Sequence, residues 1–308
     1  MSTRGRPVRI GVQLPEVERP VRWTELVDMA RAAEDVGLDS LWLGDHLLYR
    51  DAQHGSRGPW EAWSTLAGLA AVTSRVTLGP LVASTSFHNP VMLAKKAATV
   101  DEMSGGRLVL GLGAGWNEVE YRAYGFPFDR RVSRFEEAFT IIRTLLKDGH
   151  IDFDGRFYQA RDCELVPRGP RPEGPPLLIG SNGERMLSIA LPYVQAWNSW
   201  YSGFGNRLEE APALLAQIDR AIVAADRDPA EIDKTLALRV DMAGRTGARD
   251  ADGYAGYDAA SGSPDELAAV FRGFAAIGVA ELQLVLDPIT AASITALGPV
   301  LEALDRPG

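Results

Sequence analysis

Cysteine is nearly absent from this chain: Cys163 stands alone among 308 residues. A single thiol can form neither an internal disulfide nor a cysteine-based zinc site, which excludes a stapled secreted scaffold and a zinc-finger module. Histidine is scarce as well. The four present, His46, His54, His88 and His150, show neither close pairing nor ligand spacing, so no metal is expected and a metal-dependent hydrolase is disfavoured. Basic blocks are missing too. With a formal net charge of −9 and no run of lysine or arginine, the chain lacks the electrostatic footprint of a nucleic-acid binder. No apolar stretch is long enough to span a bilayer. The first seven residues place no apolar segment behind their basic side chains before the chain enters the run at Val8, so no secretory signal is visible. The expectation is a cytoplasmic protein with a small-molecule partner and neither a nucleic-acid nor a membrane partner.

What the chain does hold is 46% apolar and 24% charged residues, enough for a large core. Short apolar or β-branched runs at 8–14, 40–43, 76–82 and 108–112 alternate with helical periodicity at 23–36, 60–72 and 90–103. That is the pattern of βα units around a parallel sheet. In the first helix Leu26, Val27, Ala30, Ala33 and Val36 share one face, and Gly37 supplies a C-terminal cap. The rhythm then loosens. A helix at 133–147 precedes a hairpin at 151–158 that turns at Asp154-Gly155. The Pro- and Gly-rich stretch 167–176 reads as a loop, because a strand at 177–179 follows at once. Helices at 184–191, 208–225, 264–277 and 289–304 and strands at 196–198, 235–240 and 281–286 bring each kind to eight. This count predicts an α/β fold in which residues 1–308 form one (β/α)8 TIM barrel. Loop insertions then lie at the C-terminal face, and the site sits on the loops after the strands. The Gly-, Asp- and Ala-rich stretch 244–262 reads as a mobile loop over the same face.

Several strand ends carry candidate chemistry. In Leu41-Trp42-Leu43-Gly44-Asp45-His46, alternation puts Leu41 and Leu43 under the helices and Trp42, Gly44 and His46 on the barrel side. His46 then reaches the mouth, where an imidazole can exchange a proton near neutral pH; capping of the strand end by Asp45-His46 is the plainer reading. Gly79-Pro80 is unusual inside a central strand, since proline removes a ladder donor, and predicts a bulge near 80–82. Asn89-Pro90 is an N-cap followed by proline at the first helical position, which leaves His88 without a role. Gly111-Leu112-Gly113-Ala114-Gly115-Trp116-Asn117 is not the dinucleotide fingerprint, because its glycines alternate. Those glycines serve either a ligand laid against bare backbone or tight packing within the barrel. Asn117 is either a cap or a ligand contact. Gly180-Ser181-Asn182-Gly183-Glu184-Arg185 turns into a helix whose amides, with Arg185, suit a phosphate as well as they suit an ordinary helix start. Trp200, Tyr201 and Phe204 make the loop 198–206 aromatic enough to line an apolar substrate pocket.

In order and spacing these segments resemble the luciferase-like monooxygenase superfamily, in its branch that depends on coenzyme F420. The resemblance is carried by Arg9 to Pro15, Leu41 to His46, Leu78 to Ser84, Asn89-Pro90 and Asp101 to Asn117. Gly125-Phe126-Pro127, Arg134-Phe135-Glu136, Leu178 to Arg185 and Ala196-Trp197-Asn198 extend it. It implies that His46 is the catalytic proton donor or electrostatic partner, that Asp45 contacts the cofactor, and that Leu81-Val82 forms a bulge, often a cis peptide, behind the deazaflavin ring. It also implies ring or ribityl contacts from Asn117 and from Gly111, Leu112, Gly113 and Ala114 of the 111–115 loop. The phosphate falls to Gly180, Ser181, Gly183 and Glu184, with Ser84 a further contact, and a homodimer is implied. Ala114 stands where sugar-phosphate dehydrogenases of the family carry a glutamate, which argues against sugar-phosphate oxidation by that base. Three functions follow as alternatives. One is hydride transfer between F420 and a small organic substrate, with His46 handling the proton. The second is an FMN-dependent two-component monooxygenase of the same fold. The third is a flavin-binding barrel without turnover, favoured if His46 lies away from the ring.

Overall fold

The runs of apolar residues become parallel strands because both of their faces are covered, one by helices and the other by the barrel interior. In a computed structural model describing residues 5–52, 54–242 and 257–306, β1 (Arg9–Gln13) pairs with β2 (Ser40–Leu43) on one side. On its other side it pairs with the last strand, Glu281–Asp287. Between β2 and α2 (Ala62–Val72) a short hairpin, β3 (Tyr49–Asp51) and β4 (Gly55–Arg57), is inserted. The third barrel strand comes in two pieces, β5 (Thr77–Pro80) and β6 (Ala83–Ser84), and is followed by α3 (Pro90–Ser104), β7 (Leu110–Gly113), α4 (Glu118–Tyr124) and α5 (Arg131–Asp148). A hairpin of β8 (His150–Asp154) and β9 (Gln159–Glu164) precedes β10 (Leu177–Gly180), α6 (Glu184–Ala190), β11 (Ala196–Ser199), α7 (Ala211–Ala224) and β12 (Asp233–Asp241). The chain ends through α8 (Pro264–Ala276), β13 (Glu281–Asp287), α9 (Ala291–Thr295) and α10 (Gly298–Asp305).

The sheet order is β5-β2-β1-β13-β12-β11-β10-β7-β6. Its two ends are the halves of one strand, so the sheet closes on itself. Closure is made by the Leu78–Leu108 bridge, where Leu78 N donates to Arg107 O and Val109 N to Leu78 O. The result is the (β/α)8 TIM barrel, with α1 (Trp23–Val36) and the later helices outside it. Leu41 and Leu43 join the main core under the helices, whereas Trp42 packs inside the barrel with Leu81 and Leu178, as alternation requires. The bottom of the barrel is polar. Glu281 accepts from Ser40 Oγ at 2.6 Å, Trp42 Nε1 at 3.0 Å and Arg9 Nε at 3.1 Å.

Some expectations need correction. The hairpin β3–β4 and the seven-residue α4 carry no run long enough to register as periodic. The last helix, expected unbroken over 289–304, is two helices, because Pro299 opens the second one and cannot continue the first. The hairpin expected at 151–158 is longer on both arms, with Gly155 N donating to Tyr158 O at its turn. Of the loop expected over 244–262, residues 244–256 lie outside the described residues; Ala260 bridges to Val240. No helix among the described residues is long and apolar enough to cross a membrane.

Candidate active site

At the C-terminal ends of the strands lies a cavity of about 500 Å³, lined among others by His46, Leu81, Val82, Gly113, Ser181 and Trp200. That volume is in the range of ordinary small-molecule and cofactor sites. His46, Gly113 and Gly180 thus face one space at one end of the barrel.

The floor follows from the break between β5 and β6. The peptide Leu81–Val82 is cis, and both residues line the cavity. The side chain of Val82 is seated among three glycines. A Cβ on Gly111 would come within 2.9 Å of Val82 Cγ1, one on Gly113 within 2.7 Å of Cγ2, and one on Gly180 within 2.9 Å of Cγ1. Gly111 and Gly113 therefore make room for Val82, while a Cβ on Gly115 would meet Tyr121 Oη and Ser84 Oγ. Gly111 does not line the cavity, and its Cβ would also strike Pro80 O at 2.3 Å. Leu112 points the other way, into the core under the helices. Of the expected contacts in this loop, Gly113 and Ala114 face the cavity and Gly111 and Leu112 do not.

Asp45 and His46 are each held by a partner that local sequence does not reveal. Asp45 is buried, and its Oδ2 accepts from Ser84 N at 3.0 Å and pairs with His88 Nε2 at 2.8 Å. His88, left without a role by its helix-start spacing, therefore orients Asp45. His46 Nδ1 lies 2.7 Å from Oε1 of the fully buried Glu120, whose Oε2 accepts from Leu47 N and Leu48 N. Burial pushes the pKa of His46 down, but the Glu120 hydrogen bond and the charges of Glu16, Glu120 and Asp45 outweigh it and hold it above the usual imidazole value. Tyr49 and Trp116 flank the ring, with centroids at 4.8 and 5.6 Å.

The remaining candidates divide. Ser84 lines the cavity, with its Oγ 3.2 Å from Tyr121 Oη. Asn117 is a cap: its Oδ1 accepts from Val119 N, and its Nδ2 donates to Leu48 O, outside the cavity lining. Gly180 and Ser181 line the cavity, whereas Gly183 and Glu184 are exposed beside it, with Gly183 N donating to Ser181 Oγ at 3.2 Å. Arg185 pairs with Glu136 instead of facing the cavity. Of the three aromatic residues in the loop 198–206, Trp200 lines the cavity, together with Asn198, Ser199 and Ser202, whereas Tyr201 and Phe204 are buried, Tyr201 against the Trp200 ring at 4.9 Å. Sequence reasoning missed Glu16, Tyr49, Trp116, Glu120 and Arg131, all in the lining. Glu120 had a signal, since Asn117-x-x-Glu120 reads as a capping box. Its carboxylate turns to the His46 loop instead.

Comparison with known proteins gives a consistent picture. A family model described as luciferase-like monooxygenase matches residues 8–260. The F420-dependent glucose-6-phosphate dehydrogenase of Amycolatopsis mediterranei is 31% identical over 223 residues, covering 70% of this chain and 64% of that protein. The 5,10-methylenetetrahydromethanopterin reductase of Archaeoglobus fulgidus is 32% identical over 170 residues, 55% of this chain and 47% of that one. The matches thus span less than two thirds of either relative. Among solved structures, an F420-dependent secondary alcohol dehydrogenase in complex with an F420-acetone adduct superposes with a TM-score of 0.78 at 18% identity. The superposition covers 96% of this chain and 99% of that one, a likeness of fold.

Proposed function

The chain belongs to the luciferase-like monooxygenase family, and from that premise we propose that it is an F420-dependent oxidoreductase that reduces a small organic substrate other than a sugar phosphate. The observation that carries this reading is His46. Its Nδ1 is engaged by Glu120, its Nε2 has no hydrogen-bond partner among the described residues, and its ring stands in the wall of a cavity floored by Leu81 and Val82. The glucose-6-phosphate dehydrogenase matched in sequence is F420-dependent by name, which favours the deazaflavin over FMN.

The residues present fit such a group. Leu81, Val82 and Ala114 offer an apolar floor for a flat ring, and Trp116 and Trp200 offer aromatic walls. Asp45, Ser84 and Gly113 would border the ring and its ribityl chain, with Gly180 and Ser181 toward the phosphate. Bound F420 supplies a two-electron hydride donor or acceptor. The chain supplies the proton. With its pKa raised, His46 favours the imidazolium, which suits it to give a proton from Nε2 to a substrate that has gained a hydride. The methyl of Ala114 lines the cavity where a sugar-phosphate dehydrogenase would offer a carboxylate base. Glu16, Asp45 and Glu120 make the lining near His46 acidic, which disfavours a phosphorylated substrate there. We also take the chain as one barrel unit that pairs as a homodimer, a state that sedimentation velocity would read directly.

The test is fluorescence titration of the purified protein with F420 and with FMN. The expected result is saturable F420 binding, with glucose 6-phosphate failing to reduce the bound cofactor. Preference for FMN, or turnover of glucose 6-phosphate, overturns the reading.

A further inference from the structure

The imidazole at the cavity is held from a distant part of the chain. Glu120, on α4, is fully buried and gathers three donors: His46 Nδ1, Leu47 N and Leu48 N. A carboxylate out of water is costly unless its oxygens are bonded, and here both are. The partner of one ring nitrogen selects the tautomer. With Nδ1 committed to a carboxylate, the hydrogen stays on Nδ1 and Nε2 is the nitrogen left for chemistry. The same carboxylate pins the two residues after His46, so it sets the position of the ring as well as its orientation.

Among the described residues, the other groups around the ring have partners or contacts of their own. Asp45 is taken by Ser84 N and His88, and Glu16 accepts from Gln13 Nε2 at 2.6 Å. Tyr49 and Trp116 give ring contacts. Arg131, a cation of the lining, donates to Gly115 O at 2.7 Å.

We propose that Glu120 is the positioning residue of this site, aiming His46 and dictating that Nε2 exchanges the proton with the substrate. The proposal rests on the reading of His46 given above. When Nε2 gives up its proton, the Nδ1 hydrogen stays in the bond to Glu120. The hydrogen-bond and charge effects of Glu120 on His46 agree with this geometry.

The experiment uses Glu120→Gln and the unaltered protein. The amide keeps an oxygen for Leu47 N and Leu48 N but turns an N–H₂ toward Nδ1, which forces Nδ1 to accept. Nitrogen-15 spectra of the ring in the unaltered protein should show the Nδ1–H tautomer once His46 is neutral; an Nε2–H tautomer overturns the proposal without any variant. In Glu120→Gln the His46 titration should move to lower pH, with the matching limb of the turnover profile moving alongside it. Turnover should fall about a hundredfold or more, while F420 affinity changes little. An unchanged titration and pH profile in a folded Glu120→Gln protein overturns the proposal even if His46→Asn is inactive. A fully active His46→Asn protein instead overturns the reading on which the proposal rests.

Discussion

Replacing His46 by asparagine removes the one group of the cavity lining, among the described residues, whose ordinary pKa lies near neutrality. The expected outcome is a fold unchanged by circular dichroism, F420 affinity little altered, and turnover reduced by about a hundredfold to ten-thousandfold, read from steady-state kinetics. The same residue leaves a mark on stability. Its folded pKa lies above the unfolded value, so its contribution is fully present below about pH 6.5 and is lost as pH rises through the folded pKa. Urea midpoints measured across that window should decline with rising pH in the unaltered protein and decline less in His46→Asn. His46 was legible in the sequence because a strand end in a barrel points somewhere definite. Glu120 and His88 were not, because each occupies a position that helix-capping rules already explain, and what they touch lies 74 and 43 residues away.

At the scale of elements, the alternating glycines of β7 show how a motif can be read as constrained while the sequence leaves the constraint open between a ligand and packing within the barrel. The pattern announced that no side chain fits there; it did not say that the occupant is Val82 of a neighbouring strand. A direct consequence is testable. Gly113→Ala should destabilise by roughly 1–3 kcal/mol through crowding of Val82, because its Cβ would lie 2.7 Å from Val82 Cγ2. Adding Val82→Ala should return part of that loss in a double-mutant cycle read by denaturant unfolding, whereas independent sites would simply add. The strands and long helices were legible from period and capping, as with Asn89-Pro90, where Asn89 Oδ1 accepts from Val91 N and Met92 N. The inserted hairpin β3–β4 and the short α4 were not, although they carry Tyr49 and Glu120. Elements of a few residues owe their form to tertiary contacts and leave little periodic trace.

Across the whole molecule, the two ends of the barrel do different work. The lower end is tied by Arg9, Ser40, Trp42 and Glu281 and the upper end holds the cavity, so damage below should cost stability and spare chemistry. Arg9→Ala, which removes a guanidinium from Glu281 and Asp233, is expected to cost about 1–3 kcal/mol in unfolding free energy. F420 affinity and turnover per folded molecule should stay as they were. The closure of the barrel has a consequence of another kind. Between β5 and β7 the cylinder is fastened by the hydrogen bonds of Leu78, and above them β6 rejoins β7 at Ala83–Leu112 and Ser84–Gly113. The stretch between is held by the fit of Val82 into its glycine socket, without a run of ladder bonds. That line is where the cylinder should breathe, and it runs beneath the cavity. Amide hydrogens of Leu78 and Val109 should therefore exchange with deuterium faster than those of β12 and β13. A ligand resting on Leu81 and Val82 would act as a clasp across the gap, slowing exchange at a place it never touches.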